Sequence, residues 1–305
     1  ILKSPAAPSS RAMTAHGNIR YHLAALFTVA VWGTTFVATK VLIANGLTPA
    51  EIFFLRFALA YAAIRLVAPR RLGAASWRDE AWLAAAGISG GSLYFLTENV
   101  AISCSAASNV SLIVCTAPLW TALIVSLRDR SERMTRRQSL GVAAAFAGVV
   151  LVVFNGNFVL RLSPRGDLLA FASALSWVGY SLVMKRIGDR YPTLFITRKI
   201  FFYGLVTILP VLAVRQPAFD AATLMRPVVW GNLLFLGLVA SMLCYVLWNT
   251  ALRHLGVVRA TNYGYLNPLT TMLAASLCIG ERITPVAMLG AALILAGMWQ
   301  AERSR

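Results

Sequence analysis

Apolar residues along the chain gather into blocks of about 17–25 residues, the length that carries a helix across the hydrocarbon core of a bilayer. The blocks fall near residues 22–44, 49–67, 82–102, 106–127, 139–154, 167–186, 195–214, 229–252, 257–279 and 285–301. Short connections between them hold most of the Arg, Asp and Glu. Ten such spans leave no room for a soluble domain in 305 residues. The pattern predicts an all-α membrane protein with ten transmembrane helices. Residues 1–20 are expected to be a disordered N-terminal extension.

Composition agrees and narrows the class. The chain is 58% hydrophobic and 13% charged, with a mean hydropathy of +0.69. A soluble domain carries about 25% charged residues, so a disordered chain, a disulfide-stapled domain and most soluble enzymes are excluded. The formal net charge of +17 acquires meaning once it is sorted by connection. With a cytoplasmic N-terminus, the inside segments hold 19 Lys and Arg and the outside loops 5, the latter being Arg161, Arg165, Arg215, Arg226 and Arg282. This positive-inside bias places both termini in the cytoplasm. The basic residues are divided among short loops rather than gathered in a patch, so the partner they imply is a lipid bilayer and no nucleic acid. No CxxC occurs among the four Cys, and the three His lie at membrane edges. No metal site and no cofactor are expected.

The chain is internally repeated. Trp32 and Lys40 recur as Trp177 and Lys185, and Pro49 and Arg56 as Pro192 and Lys199. Asn99, Ala101 and Pro118 recur as Asn249, Ala251 and Pro268, and Gly141 and Gly148 as Gly290 and Gly297. Glu132-Arg133-Met134-Thr135 likewise recurs as Glu281-Arg282-Ile283-Thr284. The chain is thus a duplicated five-helix unit, 21–154 and 166–301. Five crossings are odd, so the second copy enters the membrane from the opposite face. Inverted repeats of this kind are a secondary-transporter architecture, with the substrate site at the repeat interface.

Two five-helix halves, each with a Trp in its first helix, a Pro in its fourth and a Glu before its fifth, resemble the drug/metabolite transporter superfamily. More narrowly they resemble its ten-helix EamA-type branch, from about Tyr21 to Ala301, and within it the bacterial aromatic amino acid exporters. That resemblance implies a multi-pass protein of the bacterial inner membrane that exports small molecules.

Helical projection places Trp32, Thr35 and Phe36 on one stripe of the first span. The sixth span offers Trp177 and Tyr180, the third Tyr94 and Glu98, the eighth Tyr245, Trp248 and Asn249, and the ninth Tyr263 and Asn267. Hydroxyls, amides and rings at these positions predict a protein-lined or wet interior rather than a lipid face. An aromatic-rich wall suits a planar apolar substrate. Gly90 and Gly91 either loosen the third span and expose backbone N–H groups or admit close helix packing. Pro118 and Pro268 free the carbonyls of Val114 and Gly264 and are candidate gating joints. Glu98 either serves a cationic substrate or a proton, or pairs with Lys40 or Arg56. Lys40, Arg56, Lys185 and Lys199 are read as structural charges.

No Walker A sequence, HExxH or nucleophile–base pair is present, so an enzyme is not expected. The reading is a secondary transporter exporting amino acids, aromatic and neutral ones preferred, by alternating access, as a monomer or a homodimer. An exporter of cationic drugs or another small metabolite using Glu98 is the alternative. A membrane scaffold without translocation is the reading from a different class.

Overall fold

The computed structural model describes residues 15–69, 73–104, 107–128, 134–154, 163–215, 221–279 and 283–303, and all regular structure among them is helical. The first half holds α1 (Ala15–Ala44), α2 (Pro49–Val67), α3 (Trp77–Gly87), α4 (Leu93–Cys104), α5 (Ala107–Val114), α6 (Ala117–Arg128) and α7 (Arg136–Phe154). The second holds α8 (Pro164–Ile187), α9 (Thr193–Arg215), α10 (Ala221–Met225), α11 (Pro227–Leu234), α12 (Cys244–Leu255), α13 (Val257–Asn262), α14 (Asn267–Ile279) and α15 (Pro285–Arg303). By length and composition, five stretches suffice to cross a membrane: Ile19–Ala44, Arg136–Phe154, Pro164–Ile187, Thr193–Val214 and Pro227–Leu255. The other expected spans are helical too, but shorter, more polar or interrupted. α2, for example, carries Glu51, Arg56 and Arg65. α1 begins at Ala15, inside the expected N-terminal extension, whose earlier residues lie outside the described part together with Glu132, Arg133, Glu281 and Arg282.

Local signals explain where helices begin and end. Gly46 closes α1 at φ 95°, a conformation costly for any residue with a Cβ. Two residues on, Thr48 caps α2: its Oγ1 accepts from the Glu51 N–H, and Glu51 Oε2 accepts from the Thr48 N–H at 2.7 Å. Pro49 sits in the first turn, where its missing N–H costs nothing. Gly256, at φ 83°, separates α12 from α13.

The third element of each half contains a π-helical stretch. Ile88–Ser92 joins α3 to α4, and Phe235–Leu243 joins α11 to α12. A widened turn disturbs the regular ladder, and carbonyls in both stretches are taken by aromatic side chains from elsewhere. Trp32 Nε1 donates to Ala240 O at 2.9 Å, and Tyr245 Oη donates to Gly90 O, the repeat equivalent of Ala240 O.

The two halves are interleaved rather than set side by side. α1 packs along α12 and its repeat mate α8 along α4; α2 packs on its mate α9, and α7 on its mate α15. The last pair runs antiparallel. A Cβ on Gly141 would stand 2.6 Å from the Gly297 carbonyl oxygen, and one on Gly148 2.5 Å from that of Gly290. Backbones touch here because four glycines allow it.

One end of the bundle is tied by charge. Ser76 caps α3, and Asp79 Oδ1 accepts from Arg190 Nη1 at 2.7 Å while its Oδ2 accepts from Tyr191 Oη at 2.8 Å. Next to it, Glu80 accepts from both Lys199 and Tyr203 of α9. The Tyr191 hydroxyl, helped by Arg190, holds the Asp79 carboxyl below the usual aspartate range.

Two outcomes follow from these contacts. Gly148→Ala is expected to cost about 1–3 kcal/mol, seen as a lower unfolding temperature in detergent. Gly231→Ala, with no atom outside its own stretch of helix within 4 Å of the added Cβ, is expected not to lower that temperature, since Ala is the better helix former. Equal shifts would contradict the close approach. Because the Asp79 carboxyl is held low when folded, its stabilisation is complete above about pH 3.9 and is lost as pH falls toward the lower folded value. The stability gap between wild type and Asp79→Asn should therefore be full near neutrality and close below about pH 4. A gap independent of pH would contradict the assignment.

Candidate functional site

A cavity lies where the halves interleave. α1 supplies Val29, Trp32, Thr35 and Phe36, α2 supplies Arg56, and α4 supplies Tyr94, Phe95 and Glu98. Trp177 of α8 and Tyr245 and Trp248 of α12 face them. Two interruptions of α-helix complete the wall: Val114, Cys115, Ala117 and Pro118 at one, Gly264 and Asn267 at the other. The enclosed space, mouth included, is about 780 Å³.

Rings dominate the wall. Trp32 meets its repeat mate Trp177 edge-on, with centroids 5.3 Å apart at 85°. Trp32 also lies 5.2 Å from Trp248, and Trp177 lies 5.0 Å from Tyr94 and 4.9 Å from Tyr180. The Trp32 ring is fixed from behind by its bond to Ala240 O. Such a frame offers faces and edges to a planar group, about 0.5–1.5 kcal/mol per aromatic pair beyond area burial.

Two opposite charges share this cavity without touching. Arg56 is 3% exposed and Glu98 7%. Arg56 Nε donates to Ser241 Oγ at 2.9 Å, and the guanidinium lies 4.4 Å from the Phe95 ring centre. Glu98 Oε1 accepts from Tyr94 Oη at 2.7 Å. Their charges are close enough to interact, yet among the ion pairs of the described residues neither takes part. The expected pairing of Glu98 with Lys40 or Arg56 is not made. The Arg56 terminal nitrogens and Glu98 Oε2 have no hydrogen-bond partner among the described residues.

Eight of the pathway residues expected from the sequence meet here: Trp32, Thr35, Phe36, Tyr94, Glu98, Trp177, Trp248 and Asn267. Tyr180 and Asn249 lie behind the wall, where Tyr180 donates to Asn249 Oδ1 and Asn249 Nδ2 donates to Thr197 Oγ1 at 2.9 Å. Tyr263 lies apart and shares a 2.6 Å hydrogen bond with His22 Nδ1. Gly90 and Gly91 lie in the π-helical stretch Ile88–Ser92, where a Cβ added to Gly90 would clash with the Tyr180 ring and one added to Gly91 would stand 3.1 Å from the Phe57 ring. Pro118 lines the cavity and Pro268 follows a lining residue. α6 starts one residue before Pro118, after a turn at Cys115–Thr116, whereas Pro268 follows a 3-10 turn, Tyr263–Leu266, inside a helical run that is unbroken from Val257 to Ile279. The Gly264 carbonyl, expected to be free, accepts from the Asn267 N–H. Lys40 and Lys185 are exposed, and Lys199 is buried against Glu80.

Sequence reasoning placed Arg56 among the structural charges and left Phe95 out, while Tyr245, named on the eighth span, does reach the cavity. Signals for Arg56 and Phe95 exist. Arg56 is flanked one turn away by Ile52, Phe53, Leu59 and Ala60, which offer a buried cation no local acid. Phe95 and Tyr245 are 150 positions apart, the same offset as Asn99 and Asn249.

The model of the EamA-like transporter family matches the chain twice, over residues 19–154 and 164–300. A probable terminal-alkyne amino-acid exporter of Streptantibioticus cattleyicolor is 28% identical over 281 residues, 92% of each chain. A probable amino-acid metabolite efflux pump of Salmonella typhimurium is 28% identical over 90% of this chain and 92% of its own. An uncharacterized transporter of Archaeoglobus fulgidus is 25% identical over 92% of this chain and 97% of its own. One solved crystal structure, at 19% identity, has the same fold, with a TM-score of 0.76 over 94% of this chain and 98% of that one. With both halves matched and a cavity walled by residues of each, the chain is a multi-pass membrane protein that belongs to the EamA-like transporter family.

Proposed function

We propose that the protein is a secondary exporter of amino acids, aromatic and neutral ones preferred, in a bacterial inner membrane. It crosses the bilayer ten times with both termini in the cytoplasm, as two inverted five-helix repeats. The reading rests above all on the cavity at the repeat interface, where Trp32 and Trp177 meet edge-on. Inverted topology is supported by α7 and α15, since repeat mates that run antiparallel in contact have opposite senses across the membrane. The amino-acid exporters and efflux pumps among its relatives support the substrate class.

Alternating access then has identifiable parts. On the predicted cytoplasmic side, contacts between halves close the path: Tyr21 stacks on His254 at 3.9 Å, His22 bonds Tyr263, and Asp79 and Glu80 hold Arg190, Lys199 and Tyr203. The cavity lies on the outward side of these ties. Parting them admits substrate from the cytoplasm, and remaking them behind it directs release outward. The antiparallel glycine contact of α7 with α15 stays as the fixed seam.

Uptake of labelled phenylalanine or tryptophan into proteoliposomes tests this. Wild type should show saturable flux, and Trp177→Ala or Trp248→Ala should reduce it at least about tenfold, a loss of roughly 1.4 kcal/mol, while the protein remains monodisperse. Trp77→Ala, at a position 85% exposed, should not reduce it. Absence of amino acid flux, with a cationic dye crossing in its place, would overturn the proposal in favour of a cation exporter. Absence of both would leave a scaffold.

A further inference from the structure

The charge pattern inside the cavity specifies more than a ring-shaped ligand. Arg56 and Glu98 both belong to the first half, on α2 and α4, and both are more than nine-tenths buried. Their repeat mates carry no matching pair at the cavity. Lys199, the mate of Arg56, is engaged by Glu80, and the position equivalent to Glu98 is occupied by Trp248. The duplicated scaffold has therefore diverged: both halves line the cavity with rings, and the first half alone adds two charged groups.

Buried charges of opposite sign are ordinarily brought into contact, because each uncompensated ion costs several kcal/mol. Here they are held apart, and each is anchored by one edge only. Ser241 fixes Arg56 through Nε and Tyr94 fixes Glu98 through Oε1, so the two terminal nitrogens of Arg56 and Oε2 of Glu98 are left without a hydrogen-bond partner among the described residues, on two side chains that line the cavity. The arrangement is a dipole with a gap. A lone cation would satisfy Glu98 and leave Arg56 facing added positive charge; a lone anion would do the reverse. A ligand carrying both charges on neighbouring atoms satisfies both and leaves the net charge of the site unchanged. Two further cavity groups, Trp248 Nε1 and Asn267 Oδ1, are shut in without a partner among the described residues, one a donor and one an acceptor.

We propose that this is a zwitterion site, in which Arg56 receives the carboxylate of an α-amino acid, Glu98 its ammonium group, and the Trp177–Tyr245–Trp248 bank its side chain. The guanidinium fork matches a carboxylate through two parallel N–H donors. The proposal deepens the export reading and rests on it for the substrate class. It also assigns what that reading leaves open: amines lacking a carboxylate and acids lacking an ammonium group are excluded by charge, not by size.

Ligand titrations followed by intrinsic tryptophan fluorescence test it in purified wild type, with three probes of one ring: L-phenylalanine, L-phenylalaninamide and 3-phenylpropanoate. Phenylalanine should bind at least about tenfold more tightly than either relative, the loss expected for one charge-assisted hydrogen-bonded contact. Arg56→Gln should remove the advantage of phenylalanine over the amide without weakening the amide, and Glu98→Gln should remove its advantage over phenylpropanoate without weakening phenylpropanoate. Affinities within about threefold of one another in wild type would overturn the proposal, as would variants that weaken all three probes alike. The wild-type series needs no substitution, so a variant that fails to fold does not block the test. The two readings fail separately. Phenylalanine flux with no discrimination among the probes sinks the zwitterion site and keeps export. Discrimination without flux keeps the site and sinks export.

Discussion

Inside a bilayer core no water is available to satisfy a polar group, so the protein itself must provide each partner. Much of this structure is an answer to that constraint. Thr35, Ser89, Thr97, Ser181, Thr207 and Thr250 turn their hydroxyls back onto carbonyls three or four residues earlier. The π-helical stretches hand carbonyls to Trp32 and Tyr245. Tyr180, Asn249 and Thr197 form a closed chain behind the cavity wall. In the cavity the free ends of Arg56 and Glu98, the indole nitrogen of Trp248 and the amide oxygen of Asn267 have no hydrogen-bond partner among the described residues. Ser173, Asn262 and Tyr265 also hold buried polar atoms without a partner elsewhere, so what sets the cavity apart is that four such groups, two of them on charged side chains, are gathered around one space.

Duplication supplies the geometry and divergence supplies the chemistry. Repeat mates sit in equivalent contacts, α1 with α12 as α8 with α4, so the second half cannot be removed without stripping the first of its packing partners. Where mates stay alike, as in the glycines of α7 and α15 or in Trp32 and Trp177, they build the seam and the frame of the cavity. Where they differ they acquire separate work. Arg56 enters the cavity while Lys199 ties α9 to α3. Glu98 presents a carboxylate while its counterpart Trp248 presents a ring. That asymmetry matches the proposed ligand, an amino acid charged at one end and apolar at the other.

The sequence already contained most of the frame. Hydropathy placed the helices, and the spacing of Trp, Pro, Asn and Gly exposed the duplication, because period and offset survive without coordinates. The rings of the cavity were visible for the same reason: Trp32 and Trp177 share a place in two copies. Helix rotation and depth were not visible, and they decide what a residue faces. Tyr180 and Tyr245 both read as inner-face residues in the sequence, yet of the two only Tyr245 lines the cavity. Arg56 reads as an anchor among the other basic residues and becomes a cavity residue once α2 is turned against α4. Pro118 and Pro268 both suggest kinks in continuous helices, whereas the structure answers them differently, with a turn between α5 and α6 before Pro118 and a 3-10 turn between α13 and α14 before Pro268.

An experimental structure of the protein with L-tryptophan bound puts the central claim to its most direct test. The carboxylate should lie within hydrogen-bond distance of the Arg56 guanidinium and the ammonium group beside Glu98, with the indole against Trp177 and Trp248. A ligand bound outside this cavity, or seated in it with its charged end away from Arg56 and Glu98, would contradict the account.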